Sequence, residues 1–567
     1  MKVNRSERKR AFVVFLFFCT WFLVVFVTLI KTQVLDYNRY LAKIKAQSHR
    51  ILKLHPKRGT IYDSRGEVLA ISVKTKSLFL SNKDGRKSRR LLDLVCRTIP
   101  LDRERVRSIR RRIDRDEHFI WVKRKLEDKD YARLKALRKR VDEGRYLGFI
   151  DEHKRIYPQS GRAAHILGGV GIDEQGLYGI EYTLDGVLKG KGGRVKAVMD
   201  ARQRVFRFQY LEEPVAGRDV YLTIDSVVQF FVEKELARAV ETSHAKGGAV
   251  VVLDPEDGRV LAMASHPGYL PGRLRYTPVH LLKNRAVSFL FDPGSTFKIV
   301  LASSALENKV CYPQQVFNCY NGTYTLEQRE ISDVHPYDKL TFEDIIIKSS
   351  NIGAARIGLR VGKTRFFETV QDFGFGEKTG IRLPAEERGI LNPLERWNQI
   401  SVASISFGYE ISVTPLQMAR AFNTIATGGY LVTPHLVENI VGMRLPPVRR
   451  RRVLSASTCH TLLPILTEVV RRGTGTKARI EGVNIAGKTG TAQKNIGGRY
   501  EQVYVSSFGG FFPAQNPRLT IFVLLDEPRG FFYGGDVAAP LFRRVAERLM
   551  VYLRVLPELE GSSELRI

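Results

Sequence analysis

The expected fold follows from residues 247–265, which read GGAVVVLDPEDGRVLAMAS. Two apolar runs flank a turn rich in Asp and Gly, which is the pattern of a β-hairpin whose strands are buried. Another strong strand is expected in LTIFVLLDEP, residues 519–528. The segments between them show helical patterns, among them IVLASSALE, TFEDIIIKSSNIGAARIGLRV and TPLQMARAFNTIA. Strands at both ends and helices in the middle predict one large α+β domain over residues 220–555, with a central antiparallel sheet.

The chain before this domain has a different composition and different sequence patterns. Residues 31–54 have the pattern of a helical stalk, and RGTIYDSRGEVLAIS (58–72) predicts a hairpin that turns at Arg65-Gly66. Residues 84–145 are densely charged, with scattered Leu and Val, which predicts surface helices. We therefore expect a mixed α+β pedestal over residues 31–215, without a catalytic cluster of its own. The last residues, 556–567, have the composition of a flexible tail.

The N-terminus predicts a membrane anchor. Residues 11–30 read AFVVFLFFCTWFLVVFVTLI and carry no charge, so as a helix they are long enough to cross a bilayer. The basic tail ahead of them, residues 1–10, is expected to stay in the cytoplasm, with the rest of the chain outside it. A cleaved signal peptide is the competing interpretation. The following KTQVLDYNRY offers no small-x-small cleavage site, so an uncleaved anchor is favoured.

The charge balance limits the possible partners. The chain of 567 residues has 91 Lys+Arg against 59 Asp+Glu, a formal net charge of +32 that favours polyanionic surroundings. Nucleic acid is an unexpected partner for a chain whose bulk lies outside the cytoplasm. No His/Cys cluster has metal-ligand spacing, so we expect neither a metal nor a cofactor. Of the five cysteines, Cys311 and Cys319 alone are close enough in sequence to suggest a disulfide, and the sequence leaves their pairing open.

Two S-x-x-K matches could each supply a nucleophile and its base. Ser243 and Lys246 lie between a polar helix and a strand, where the lysine is expected to face solvent. Ser295 and Lys298 lie in FDPGSTFKIV (291–300), at the start of an apolar helix. Backbone N–H groups at such a helix start can stabilise an oxyanion. A half-buried lysine can have its pKa lowered enough to take the serine proton. A capping serine beside a solvent-reaching lysine is the alternative that this motif alone leaves open.

Further polar motifs favour the second match. Ser349-Ser350-Asn351 lies inside a segment with a helical pattern, where a polar trio is poorly placed. Of two K-T-G matches, residues 378–380 lie in a loop rich in Gly and Pro. Residues 488–490 follow apolar VNIAG and continue into Thr491, as an edge strand lining a cleft would. There Lys488 could bind a substrate carboxylate, Thr489 could hydrogen-bond, and Gly490 would let another backbone approach closely.

The order S-x-x-K, S-x-N, K-T-G within one domain is typical of penicillin-binding proteins and class A β-lactamases. Residues 245–550 resemble the transpeptidase domain of a class B penicillin-binding protein, with a fold like that of the serine β-lactamases. The anchor, stalk and RGTIYDSRGEVLA resemble that family's membrane segment and its dimerisation-type pedestal. Three further stretches resemble the septal, division-specific members: ISFGYEISVTPLQMARAF (405–422), GKTGTAQK (487–494) and FYGGDVAAP (532–540). Glu410 departs from that pattern, because septal members more often have a small or neutral residue there.

The resemblance implies roles for the first two motifs. Ser295 would attack the penultimate D-alanine carbonyl of a stem pentapeptide, Lys298 would take the serine proton, and Ser349 and Asn351 would complete the relay and orient the acyl chain. A neighbouring strand's amine would then resolve the acyl-enzyme and form a cross-link.

The third motif would bind the substrate. Lys488 and Thr489 would hold the substrate carboxylate, and the N–H groups of Ser295 and Thr491 would form the oxyanion hole. β-Lactams would acylate Ser295. The implied partners are a membrane-embedded peptidoglycan glycosyltransferase and other division proteins.

Four other functions are less well supported. A β-lactamase shares the three motifs, but the anchor and the pedestal argue against it. A β-lactam receptor needs more cytoplasmic apparatus than ten residues, and a non-catalytic scaffold has no need of three intact motifs. The pedestal leaves little room for a second, glycosyltransferase enzyme. An elongation-type class B transpeptidase remains the main alternative to a septal one.

Overall fold

The structure is a computed structural model that describes residues 5–39, 49–54, 56–199 and 205–555. The helices of this part of the chain are α1 (Arg5–Ile30), α2 (Gly85–Thr98), α3 (Arg103–Asp114), α4 (Asp128–Arg140), α5 (Ala164–Leu167), α6 (Gly179–Thr183), α7 (Asp185–Leu188), α8 (Ser226–Thr242), α9 (Arg285–Ser288), α10 (Lys298–Glu307), α11 (Phe342–Lys348), α12 (Asn351–Val361), α13 (Lys363–Asp372), α14 (Gln399–Ser406), α15 (Pro415–Ala426), α16 (Ala456–Arg471) and α17 (Gly534–Leu553).

The strands of the same residues are β1 (His49–Leu54), β2 (Ile61–Tyr62), β3 (Val68–Ser81), β4 (Phe119–Lys123), β5 (Leu147–Ile156), β6 (Gly169–Val170), β7 (Gly176–Tyr178), β8 (Gly193–Met199), β9 (Val205–Glu212), β10 (Val220–Leu222), β11 (Gly247–Leu253), β12 (Val260–His266), β13 (Val316–Asn318), β14 (Thr323–Leu326), β15 (Arg329–Ser332), β16 (Lys339–Thr341), β17 (Tyr430–Val432), β18 (Val437–Ile440), β19 (Arg450–Arg452), β20 (Ala486–Ile496), β21 (Arg499–Phe512) and β22 (Leu519–Asp526).

The predicted hairpin forms two strands of the central sheet. β11 and β12 pair antiparallel, and the sheet runs β12-β11-β22-β21-β20 with every pair antiparallel. All seven residues of β11 and all eight of β22 are buried. The predicted hairpin and the predicted strand near residue 520 are therefore confirmed, and the strand that carries the K-T-G motif lies at the edge of the sheet.

Helices cover both faces of this sheet. Along β22, Ile521, Val523 and Leu525 pack with α8 and α17, whereas Phe522 and Leu524 belong to the larger core on the opposite face. Successive side chains of a strand point to opposite faces, so one apolar strand serves two cores. Helix α15, on the second face, begins with a capping box between Thr414 and Gln417.

The expected pedestal and the large α+β domain share a second sheet. It runs β18-β10-β2-β3-β4, and β5 also pairs with β3. The hairpin at Arg65-Gly66 is confirmed, although its second strand, β3, has 14 residues. The predicted surface helices of residues 84–145 are α2, α3 and α4, and their apolar sides form a separate core with β3 and β4.

Contacts divide the chain into two units, Met1–Lys57 with Gly190–Gly217, and Arg58–Lys189 with Arg218–Ile567. The first contains α1 and the antiparallel sheet β1-β8-β9. Residues Arg8–Leu35 are apolar and helical over a length sufficient to cross a membrane.

The prediction of a helical stalk over residues 31–54 is wrong at residues 49–54, whereas residues 31–35 and 37–39 are helical. Lys31–Leu35 is a short π-helix and residues 49–54 form strand β1. A partner strand at residues 193–199, far along the chain, determines this conformation. Residues 40–48 of the expected stalk, 1–4 of the expected cytoplasmic tail and 556–567 of the expected flexible tail lie outside the described residues.

Candidate active site

Ser295 lies on a 3₁₀ turn, Gly294–Phe297, directly ahead of α10. Its Oγ forms no hydrogen bond to any residue that the structure describes, and its side chain is partly exposed. Asp292, three residues earlier, accepts hydrogen bonds from Tyr500 (2.8 Å) and Ser412 (3.0 Å), which hold the start of the turn. The serine hydroxyl is therefore available at a position that the surrounding structure fixes.

Glycines let this turn approach the K-T-G strand. A Cβ on Gly490 would come within 2.8 Å of Thr296 and 2.9 Å of the Pro293 carbonyl oxygen. Gly294 has a φ of 54°, and a Cβ there would lie 2.8 Å from the Thr491 carbonyl oxygen. The close approach predicted for Gly490 is confirmed, and it brings Ser295 beside β20.

The S-x-N motif spans the break between two helices, so the prediction that it lies within one helix is wrong. Helix α11 ends at Lys348, Ser349 has a left-handed φ of 65°, and α12 begins at Asn351. Ser350 caps α12 by accepting a hydrogen bond from the backbone N–H of Gly353. The break turns the Ser349 side chain and carbonyl group toward the lysines described next.

Two fully buried lysines meet at Ser349. Lys298 Nζ donates to the Ser349 carbonyl oxygen (2.6 Å) and to Asn351 Oδ1 (2.9 Å), and lies 3.2 Å from Ser349 Oγ. Lys488 Nζ donates to the same Oγ at 2.9 Å. Both lysines are 0% exposed. The structure thus brings together Ser349 and Asn351 of the S-x-N motif with the lysines of the S-x-x-K and K-T-G motifs.

Burial changes the protonation of both lysines. Desolvation lowers the pKa of Lys298 to about 7, although the nearby Asp333 carboxylate acts to raise it. The pKa of Lys488 is lowered well below its ordinary value, by burial and then by the positive charge of Lys298. Two ammonium groups on one neutral oxygen would repel each other. The site therefore holds an unprotonated amine near neutral pH, which is what a general base requires.

The K-T-G strand is tied to its surroundings through threonine hydroxyls. Thr489 Oγ1 lies 2.6 Å from Thr474 Oγ1, in the turn after α16. Thr491 Oγ1 accepts a hydrogen bond from the backbone N–H of Gly534 at 2.8 Å, at the start of α17. These contacts fix the strand's edge beside Ser295 and leave Thr491 partly exposed.

Asp333 was not singled out by the sequence. Its carboxylate accepts hydrogen bonds from Ser350 Oγ (2.6 Å) and from the backbone N–H groups of Ile352 (3.0 Å) and Asn351. It therefore fixes the turn that presents Ser349. Its position in the loop ISDVHP gives no periodic or motif signal, so the sequence offered no means of finding it.

The other S-x-x-K match and the other K-T-G match make ordinary structural contacts. Ser243 directly follows α8 and donates to the Ala239 carbonyl oxygen at 2.6 Å, while Lys246 is largely exposed and lies 3.4 Å from Glu527. The second K-T-G match lies in a loop, where Thr379 N donates to Glu386 at 2.7 Å. The disulfide that Cys311 and Cys319 suggested is absent, because both are free thiols.

Comparisons with known proteins agree with this geometry. Residues 248–547 match the family described as the penicillin-binding protein transpeptidase domain, and residues 53–222 match the penicillin-binding protein dimerisation domain. The chain belongs to the class B penicillin-binding proteins. Its catalytic chemistry is therefore acyl transfer by a transpeptidase.

Relatives of this penicillin-binding protein cover nearly its whole length. The peptidoglycan D,D-transpeptidase FtsI of Escherichia coli is 32% identical over 93% of this chain and 89% of the relative. Stage V sporulation protein D of Bacillus subtilis is 32% identical over 98% of this chain and 87% of the relative. Penicillin-binding protein 3 of Mycobacterium tuberculosis, solved in complex with aztreonam, is 29% identical with a TM-score of 0.70, over 90% of this chain and 99% of that one.

Proposed function

We propose that this protein cross-links peptidoglycan stem peptides during septal cell-wall synthesis, through an acyl-enzyme on Ser295. The observation that carries the proposal is the buried Lys298, whose amine the S-x-N motif holds and whose pKa lies near 7. Such a lysine can accept a proton at neutral pH, and it follows the free Ser295 hydroxyl by one turn.

In the acylation step, Lys298 Nζ takes the proton of Ser295 as Oγ attacks the carbonyl carbon of the penultimate D-alanine. The backbone N–H groups of Ser295 and Thr491 stabilise the oxyanion. The proton then passes through Ser349 Oγ to the nitrogen of the departing D-alanine as the peptide bond breaks. Ser349 suits this transfer because its hydroxyl lies within 3.2 Å of both lysine nitrogens.

The second half of the reaction reverses these roles. The side-chain amine of a neighbouring stem peptide attacks the acyl-enzyme, loses a proton to the Ser349–lysine group, and Ser295 Oγ recovers a proton as it leaves. Asn351 orients the acyl chain, while Lys488 and Thr489 bind the substrate carboxylate. Lys488 Nζ is buried and lies 3.4 Å from Thr489 Oγ1, so the two groups would hydrogen-bond to that carboxylate side by side.

The apolar N-terminal helix supports a proposal for the cellular setting. We propose that the helix within residues 8–35 anchors the protein in the cytoplasmic membrane by a single pass, with a short cytoplasmic tail and an extracytoplasmic catalytic domain. Residues 31–215 would form the pedestal, residues 220–555 the transpeptidase domain and residues 556–567 a flexible tail. A membrane-embedded glycosyltransferase and other division proteins would be the partners that supply and position the glycan strands.

Covalent labelling with a fluorescent penicillin tests the chemistry. The wild-type protein is expected to be labelled, and Ser295→Ala is expected to abolish the labelling. Ser243→Ala, which changes the serine of the other S-x-x-K match, is expected to retain it. Labelling that survives in Ser295→Ala would overturn the assignment. Depletion in growing cells tests the septal role, with filaments expected, whereas rounded cells would indicate an elongation enzyme.

A further inference from the structure

A cavity of about 240 Å³ opens beside Asn351. Its walls come from the β14–β15 hairpin, helix α14, and the rings of Tyr409 and Tyr500. The lining is mixed: aliphatic and aromatic side chains line much of it, and Arg329, Glu330 and Glu410 contribute charge. A ligand group that fits it needs an apolar stem and a charged end.

The charged groups form an ion pair that can exchange partners. Arg329 Nη1 lies 3.1 Å from Glu410 Oε1, and their side chains are 57% and 29% exposed. Glu330, on the same hairpin, is also exposed and lines the cavity. An ion pair this exposed contributes little to stability, so a ligand that supplies both an ammonium and a carboxylate can replace it at little cost.

Glu410 is held in a backbone conformation that glycine would favour. Its φ is 61°, in the left-handed region that is costly for a residue with a Cβ. Backbone strain of this kind persists where the surroundings fix it, and it is frequent at ligand-binding positions. Here the strained residue places a carboxylate at a cavity that a catalytic residue also lines.

Asn351 connects the cavity to the proposed reaction. Its Oδ1 accepts from Lys298, and its Nδ2 donates to the carbonyl oxygen of Ser332, which also lines the cavity. If Asn351 orients the acyl chain, the residue before the scissile D-alanyl-D-alanine passes this point. Its side chain then has the cavity beside it.

We propose that this cavity is the subsite for the side chain of that preceding residue, and that it selects a zwitterionic diamino acid of the diaminopimelate type. The three methylene groups lie along the apolar lining, the ammonium binds Glu410 and Glu330, and the carboxylate binds Arg329. The inference rests on the proposed function and extends it to the substrate's third residue.

The test compares stem pentapeptides as competitors of fluorescent-penicillin labelling of the full-length protein. The peptides end in D-alanyl-D-alanine and carry diaminopimelate, diaminopimelate amidated on its side-chain carboxylate, or lysine at the third position. The diaminopimelate peptide is expected to compete about tenfold better than the other two, as loss of one charge-assisted contact implies. Equal competition by all three would overturn the proposal.

Variants then assign the contacts in a thermodynamic cycle. In Arg329→Gln the amidated and the free diaminopimelate peptides should compete equally, because the carboxylate's partner is gone. In Glu410→Gln the diaminopimelate peptide should compete about tenfold more weakly than it does on the wild-type protein. Its amidated form should compete more weakly still, because it also lacks the carboxylate that binds Arg329. Because each comparison is made on one variant, a general loss of folding does not imitate the result.

Arg451→Gln is the matched control. It breaks an exposed ion pair of similar length, 3.2 Å to Asp372, away from the cavity, so the full preference should remain. Unchanged preference in both Arg329→Gln and Glu410→Gln would contradict the subsite. Absence of Ser295 labelling in the wild-type protein would instead refute the proposed function, so the two failures are distinguishable.

Discussion

Two groups of buried cations in this protein differ in what surrounds them. In the pedestal, the guanidinium groups of Arg58 and Arg155 each lie 2.6 Å from the carboxylate of the fully buried Glu181. In the candidate active site, Lys298 and Lys488 share the neutral hydroxyl of Ser349. Both groups are removed from water, yet among the residues that the structure describes, only the first group has a carboxylate in direct contact.

The difference determines whether the charge is permanent. Burial acts to lower the pKa of Arg58, but Glu181 and Asp185 outweigh it and the pKa is raised. At Lys298 burial prevails and the pKa falls to about 7. A paired arginine is a fixed charge that holds segments together, whereas an unpaired lysine becomes a group that can exchange protons.

The largest effect is expected when Lys298 is given a permanent charge. Lys298→Arg should slow penicillin acylation of Ser295 by about 1,000-fold, within the range that a general base contributes, because arginine does not release its proton. The rate constant for labelling by fluorescent penicillin measures this. Lys246→Arg, which changes the lysine of the other S-x-x-K match, is the control and should keep the wild-type rate. A loss below tenfold in Lys298→Arg would contradict the base role.

Removing the carboxylate from the pedestal should cost stability. Glu181→Gln leaves two guanidinium groups buried without their shared anion, which should destabilise the fold by about 3–5 kcal/mol. Thermal unfolding measures this, and labelling per folded molecule should persist. Asp372→Asn, at an exposed ion pair, should change stability by less than about 1 kcal/mol. Equal stability of the two variants would show that the buried group is not structural.

A smaller effect is expected at Asp333, a positioning residue. Asp333→Asn keeps an oxygen that can accept from the Ile352 N–H but removes the charge that raises the pKa of Lys298. The acylation rate should fall by about tenfold or less, and the acidic limb of its pH profile should move to lower pH. A lower rate with an unmoved limb would indicate that Asp333 acts through turn geometry alone.

The local sequence pattern was sufficient to predict those elements whose conformation is determined by residues close to them in the sequence. The hairpin of residues 247–265, the buried strand near residue 520 and the edge position of the K-T-G strand follow from apolar runs and turn residues. The choice of Ser295 over Ser243 followed from the apolar helix after the former. The observed contacts of both serines fit that choice.

Distant contacts decided what the sequence could not show. Strand β1 pairs with residues some 140 positions later, so its stretch was mistaken for a helix. The break at Ser349 depends on Asp333, which reaches the turn from a separate loop. The meeting of Lys488 with Lys298 at one hydroxyl joins segments 190 residues apart, and no periodicity in either segment encodes it.

The pH dependence of Ser295 acylation tests the central claim most directly. Protonated Lys298 cannot accept the serine proton, so the rate constant for a penicillin should be low below the pKa of Lys298 and should rise through about pH 7 to a plateau. The protein should remain folded across this range by circular dichroism. A rate that is independent of pH between 5 and 9, or that rises only near the ordinary pKa of lysine, would contradict an unprotonated Lys298 as the base.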